Sequence, residues 1–305
     1  MKPLVSVLTP CYNSATTLPL ALASLLAQTY ENWECVLVDD GSTDHPERIV
    51  EAADDPRIRY LRLECNMGRG FARQVTLDNA RGEFIAMLDA DDWYYPEKLE
   101  RQVEFMLRHP EVAVVSAGMA IVDARRELIG VRLRGAKAQG AAVRHEWRSL
   151  ASPPVAFAPS LIQGAVARQI RFRVDFRVAE DSDYLWRLLW GRRWAVLPQV
   201  LYAYMEPASA TPAKVQEALR NTRRKYRELR WQFPIPSLLR ELQATGKAAA
   251  YWMAAKAGLW GFMIARRSRR PTEEERSAYY RARDRILRVV AEVFGEKTLR
   301  ERIGR

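Results

Sequence analysis

Cysteine is scarce in this chain of 305 residues. Its three cysteines, Cys11, Cys35 and Cys65, are odd in number and far apart, with no CxxC or Cys/His cluster. A disulfide framework and a structural zinc site are therefore not expected. The three histidines, His45, His109 and His145, are isolated, so no HExxH-type metal site is present. Ser116 lies in "VSAG" rather than G-x-S-x-G, which gives no support to a serine hydrolase. "GRGFAR" (68–73) lacks the third glycine of a dinucleotide-binding loop. Long apolar runs are also missing. The N-terminus reaches a strand-like run by residue 4 without the basic region and apolar stretch of a signal peptide, so a reducing cytosol is expected. The most apolar later stretch, "AAAYWMAAKAGLWGFMIA" (248–265), carries Lys256 and seven alanines. It falls short of the roughly 20 apolar residues that a membrane span requires.

Charge is present in plenty but unevenly placed. Residues 1–208 hold 25 Lys/Arg and 27 Asp/Glu, whereas residues 209–305 hold 23 and 10. The net charge of +11 thus belongs to the last third. That shift marks the expected boundary between a domain at 1–208 and a basic helical extension at 209–305.

Within 1–208, strand-like and helix-like segments alternate. "LVSVLTP" (4–10), "ECVLVDD" (34–40), "IRYLRL" (58–63), "FIAMLD" (84–89) and "VAVVSAG" (112–118) read as strands. Helices are expected at 16–28, 68–82, from Pro96 to about 108, and at 181–191. The alternation predicts a mostly parallel sheet covered on both faces. Ligands bind beyond the carboxyl ends of such strands. Pro10–Asn13, Asp39–Gly41 and Asp89–Asp92 are thereby expected on one rim. Residues 119–208 are less regular, with Gly- and Pro-containing loops around 135–140 and 152–159. Beyond 208 the pattern is helical at 213–231, 236–265 with a break near Gly246, and 272–294.

The stretch "FIAMLDADDWYYPEKL" (84–99) places Asp89, Asp91 and Asp92 directly after a buried strand. One aspartate could cap the helix near Pro96, but three this close repel unless a cation is present. Mg²⁺ or Mn²⁺ takes one or two carboxylates and completes its shell with water and phosphate. The crowding therefore predicts a metal–diphosphate site.

"SVLTPCYN" (6–13), "VLVDDGSTD" (36–44), "NMGRGFARQ" (66–74), "GEFIAMLDADD" (82–92) and "AEDSDYLWRL" (179–188) together resemble the ordered motifs of the family 2 glycosyltransferases. The resemblance covers about residues 3–205. It implies a GT-A fold and inverting transfer from a nucleotide sugar, UDP-linked above all, with Mn²⁺ or Mg²⁺. By the same resemblance, Asp40, with Asp39 beside it, takes the uracil N–H. Pro10 and Tyr12 line the base pocket, Asn66 lies near the nucleotide and Arg73 near the diphosphate. Asp89 and Asp91 form the D-x-D element, with Asp91 or Asp92 as the direct metal ligand. Asp181 is the candidate base for the acceptor hydroxyl, set against a plain helix-cap reading. Two features depart from the pattern. Met205 stands where many relatives carry an Arg after the last aromatic strand. "WGRRW" (190–194) has Trp190 in place of Gln and follows Asp181 too closely for a processive synthase, which favours one sugar per event.

The basic tail leaves two readings open: a helix buried against the catalytic domain, or one lying in the interface of an anionic membrane, anchored by Trp252, Trp260 and Phe262. No recognised nucleic-acid-binding motif accompanies the charge. The expected protein is a glycosyltransferase of cell-surface polysaccharide or glycolipid synthesis with a saccharide or lipid-linked acceptor, cytoplasmic or peripheral on the inner membrane face. A nucleotidyltransferase is the second enzyme reading, though its Gly-rich basic loop is missing from "LTPCYNSATT". A nucleotide-binding scaffold docked by its tail is the non-enzymatic one.

Overall fold

A computed structural model describes residues 2–133, 142–205 and 211–295. The expected loop around 135–140 and the boundary at 208 lie outside these residues. Ten strands form one sheet: β1 (Val5–Cys11), β2 (Trp33–Asp39), β3 (Ile58–Arg62), β4 (Phe84–Met87), β5 (Trp93–Tyr94), β6 (Val112–Val122), β7 (Leu128–Arg132), β8 (Ala142–Arg144), β9 (Leu161–Gln163) and β10 (Arg193–Met205). Their order is β3-β2-β1-β4-β9-β6-β10-β5, with β7 on β6 and β8 on β10.

The first four strands are parallel, as the alternation predicts. β9 then pairs antiparallel with both β4 and β6, while β10 runs parallel to β6. The sheet is therefore mixed beyond β4. A three-residue strand such as β9 has too few side chains to show a period, and so it is invisible in sequence.

Strand residues alternate between the two faces. Val5, Val7, Cys35, Leu37, Phe84 and Ala86 point into one apolar cluster. Leu8, Ile85 and Met87 join a second on the opposite side, and Val36 and Val38 a third. Helices α1 (Leu18–Leu26), α2 (Glu47–Ala53) and α4 (Lys98–Arg108) cover the first face; α3 (Arg69–Asp78), α5 (Gly164–Ala167) and α6 (Glu180–Leu189) cover the other.

The basic third contributes α7 (Pro212–Glu228), α8 (Pro234–Lys256), α9 (Trp260–Ala265) and α10 (Glu273–Phe294). α8 runs unbroken through Gly246; the break falls instead at Gly258, whose φ of +70° suits a residue without Cβ. α7 and α8 pack side by side. α10 starts in a Thr272/Glu275 capping box and seats Tyr279, Ile286 and Val290, all fully buried, in the same cluster as α1. Thus one helix of the basic third completes the core of the α/β body. The buried-helix expectation applies to α10 rather than to the 248–265 stretch.

Candidate active site

Parallel pairing sets the site. Cys11 lies opposite Asp39 and Leu8 opposite Met87, so β2, β1 and β4 end side by side. Pro10, Tyr12, Asp39, Asp40 and Asp89 consequently share one rim, with Asn66 on the loop that Asp40 holds.

Hydrogen bonds fasten the rim loops to one another. Asn13 N–H donates to Ser42 Oγ at 2.9 Å, and Thr43 N–H donates to Asn13 Oδ1 at 2.9 Å. Asp40, 3% exposed, accepts from Met67 N–H at 2.7 Å and Gly68 N–H at 2.9 Å. Burial raises its pKa, and these two donors oppose the rise. Gly41 is required here. Its φ is +72°, and a Cβ would meet the Cys65 carbonyl carbon at 2.7 Å. Asp39, fully buried, accepts from Ser42 N–H at 2.8 Å and Tyr60 O–H at 2.7 Å. Each Asp40 oxygen keeps a second lone pair. Tyr12, 49% exposed, is a rim residue and not core.

The three strand-end aspartates have three different environments. Asp89 accepts from Arg73 Nη2 at 2.8 Å; burial favours its neutral form, but Arg73 and then Arg69 hold its pKa low. Asp92 is 1% exposed and has both oxygens engaged, by Tyr202 O–H at 2.8 Å and Met205 N–H at 2.9 Å. Burial, then Asp91 and Asp89, push its pKa well up. Asp92 thereby ties the end of β10 to the rim. Asp91 accepts no hydrogen bond from another residue among the described ones, and burial and Asp89 raise its pKa. Among the described residues no cluster of three His, Cys, Asp or Glu could hold an ion. The donor set fits a cation that takes one carboxylate, Asp91, and fills its shell from diphosphate and water.

Arg73 is 2% exposed, with Nη1 on Glu180 Oε1 at 2.6 Å and Nη2 on Asp89. These two ion pairs make it a strut, and it also lines the cavity described below. The strut joins the β4 end to the first turn of α6. Glu180 is 1% exposed; burial and, less strongly, Asp181 push its carboxyl up to about 7 while Arg73 opposes. Glu180 Oε2 and Arg73 Nε are buried without hydrogen-bond partners among the described residues. The sequence reading takes Glu180 and Asp181 of "AEDSD" as one acidic site, with the base role on Asp181 and no separate role for Glu180.

Asp181 is a first-turn residue of α6, behind the left-handed Ala179 at φ 65°, and not the cap itself. Its Oδ1 accepts from Ser182 N–H at 2.6 Å. Asp181 and Asp89 line a single cavity of about 470 Å³, with Met119 and Phe157 among the apolar walls. The cations Arg69, Arg73, Arg132, Arg177, Lys214 and Arg267 also line it. Only tertiary structure gathers these six from five separate segments.

Comparison with known proteins bears on the family and the fold. Residues 6–152 match the model for "Glycosyl transferase family 2". The putative teichuronic acid biosynthesis glycosyltransferase TuaG of Bacillus subtilis is 43% identical over 108 residues, which is 35% of this chain and 43% of that protein. The Escherichia coli UDP-Glc:alpha-D-GlcNAc-diphosphoundecaprenol beta-1,3-glucosyltransferase WfgD is 42% identical over 106 residues, 35% of this chain and 42% of that one. The chain matches under half the length of these curated relatives. S. aureus TarS 1-349, crystallised in complex with UDP-GlcNAc, aligns at a TM-score of 0.60 and 24% identity over 95% of this chain and 82% of that one, a likeness of fold. Residues 6–152, just under half of this chain, are thus a segment of the glycosyl transferase family 2 type, and the likeness to TarS places the chain on a GT-A fold.

Proposed function

We propose that this protein is an inverting glycosyltransferase that moves one sugar from a nucleotide-diphosphate donor, UDP-linked, to a hydroxyl acceptor in cell-surface polysaccharide or glycolipid synthesis. One observation carries the reading: Asp181 and the β4-end Asp89 line the same cavity, held in register by Arg73. The base of the nucleotide lies against Tyr12, Pro10 and Asn66, with its N–H on Asp40. Its diphosphate extends along the strand ends toward Asp91. The sugar then sits in the cavity, beside Asp89.

In the transfer, Asp181 accepts the proton of the acceptor hydroxyl. The oxygen forms its bond to the anomeric carbon from the face opposite the diphosphate, and the bond to the diphosphate oxygen breaks. Back-side attack on an α-linked donor gives a β-linkage, the linkage named for the Escherichia coli relative. Mn²⁺ or Mg²⁺ bound at Asp91 would neutralise the departing diphosphate. The excess of cations on the cavity wall supports an acceptor that carries phosphate near the reacting sugar, as a lipid-linked diphosphate does.

The test is Asp181→Asn assayed for binding and turnover together. Transfer should fall by about 10²–10⁴-fold, with donor affinity unchanged. Equal loss of both would assign Asp181 to structure instead.

A further inference from the structure

Nine of the fourteen large apolar side chains exposed among the described residues fall within residues 231–262. α8 explains the concentration. Its buried residues, Ser237, Glu241, Ala244 and Ala248, follow a spacing of 4, 3 and 4 and form one narrow stripe toward α7. Ile235, Leu239, Leu242 and Met253 lie on the opposite side of the helix, where the periodicity puts them in one line. Trp231 before the helix, Trp252 on its flank and Phe262 on α9 add exposed rings beside this line, with exposures of 96%, 57% and 60%. No described element covers it.

Charge identifies the occupant. Residues 229–270 contain eight Lys/Arg and a single carboxylate, Glu241. That carboxylate is buried and already ion-paired with Arg227 and Arg230. Lys247, Lys256 and Arg266 remain exposed around the apolar face. A two-fold pairing of this face with a second copy would oppose like charges with no carboxylate to meet them. A surface of anionic headgroups over acyl chains complements both features: lipid phosphates for the cations, the acyl boundary for Trp252, Leu242 and Phe262. No described helix is long and apolar enough to cross a membrane. We propose that α8 and α9 lie in the interface of an anionic phospholipid bilayer. The opposite face of α7 lines the cavity through Lys214, Val215 and Ala218, so the lipid surface would adjoin the acceptor side. The docking itself stands on the surface alone and holds whatever reaction the cavity performs.

The full chain should be sedimented with vesicles of phosphatidylglycerol mixed with phosphatidylcholine, and with phosphatidylcholine alone. The anionic vesicles should bind about tenfold more strongly or better. Leu242→Glu/Trp252→Glu/Phe262→Glu should reduce binding by about tenfold or more while keeping the wild-type melting profile. Lys247→Gln/Lys256→Gln, which disturbs no packed atom, should weaken the preference for anionic lipid. Failure to bind either vesicle, equal binding to both, or unchanged binding by the triple variant would overturn the proposal. A dimer in sedimentation equilibrium that the triple variant dissolves, without lipid binding, would assign the face to a second copy. Donor binding measured without vesicles is a separate readout: its loss would fault the proposed reaction and leave the docking result standing.

Discussion

Single side chains decide how charge is tolerated inside this protein. Arg73 is buried between Asp89 and Glu180, where each partner offsets the cost of desolvating the guanidinium. Lys98 has no such partner. It is fully buried, its Nζ donates to Gln102 Oε1 at 2.9 Å and lies 4.0 Å from the Tyr94 ring centre. Burial brings its pKa down to about 7. Between that value and the ordinary lysine range, the unfolded chain binds a proton that the folded protein does not. Stability from this residue therefore rises with pH above about 7, and the destabilisation is fully present below it. The slope is on the order of 1 kcal/mol per pH unit. Urea titrations at neutral and alkaline pH should show a steeper gain with pH in the wild type than in Lys98→Met. Identical slopes would mean that the ammonium finds compensation in the fold.

The strand ends were legible because their residues are consecutive: "VDDGSTD" and "DADD" each show a rim in one glance. The Arg73 strut was not, since Arg73 and Glu180 stand 107 positions apart and only packing brings them together. Asp91 and Asp92 were likewise indistinguishable neighbours until Tyr202 and Met205 engaged one of them.

Among the elements, α10 has the largest consequence for the fold. Tyr279 donates to the Arg126 carbonyl at 2.6 Å and packs tilted against Trp93, 5.4 Å between ring centres. Ile286, fully buried, fills the same cluster as α1. Truncation of a buried isoleucine costs about 2–5 kcal/mol where the cavity does not collapse. Ile286→Ala should lower global stability in a single cooperative transition, monitored by denaturant unfolding. A separate early transition, with the sheet unaffected, would show α10 to be an independent unit. The charge shift near residue 208 pointed to a separate basic extension. The periodic helices in it were readable, but which of them would enter the core was not, because an amphipathic stripe does not name its partner. α8 illustrates the other case: Gly246 looked like a break, yet helical packing carries the chain through it, and the turn occurs at Gly258.

At the scale of the whole molecule, the proposed donor would engage the three rim loops and the cavity together. A ligand that binds the native state alone raises stability by about 2.7 kcal/mol at a hundred times its Kd. UDP-sugars should therefore raise the melting temperature of the full chain, and Mn²⁺ should add to the rise. In Asp91→Ala the metal increment should vanish while the nucleotide's own shift persists. An unchanged metal increment in that variant would move the cation to another group.

The sequence alone determined the parallel half of the sheet, the rim at three strand ends and the uneven charge, since each is written in adjacent residues or in a short period. Tertiary structure decided which aspartate Tyr202 and Met205 engage, what Arg73 holds, which basic helix closes the core and which leaves an apolar side in solvent. Those outcomes depend on contacts between distant segments, and burial, which sets both the cost of a charge and the partner it must find, exists only after the chain has folded.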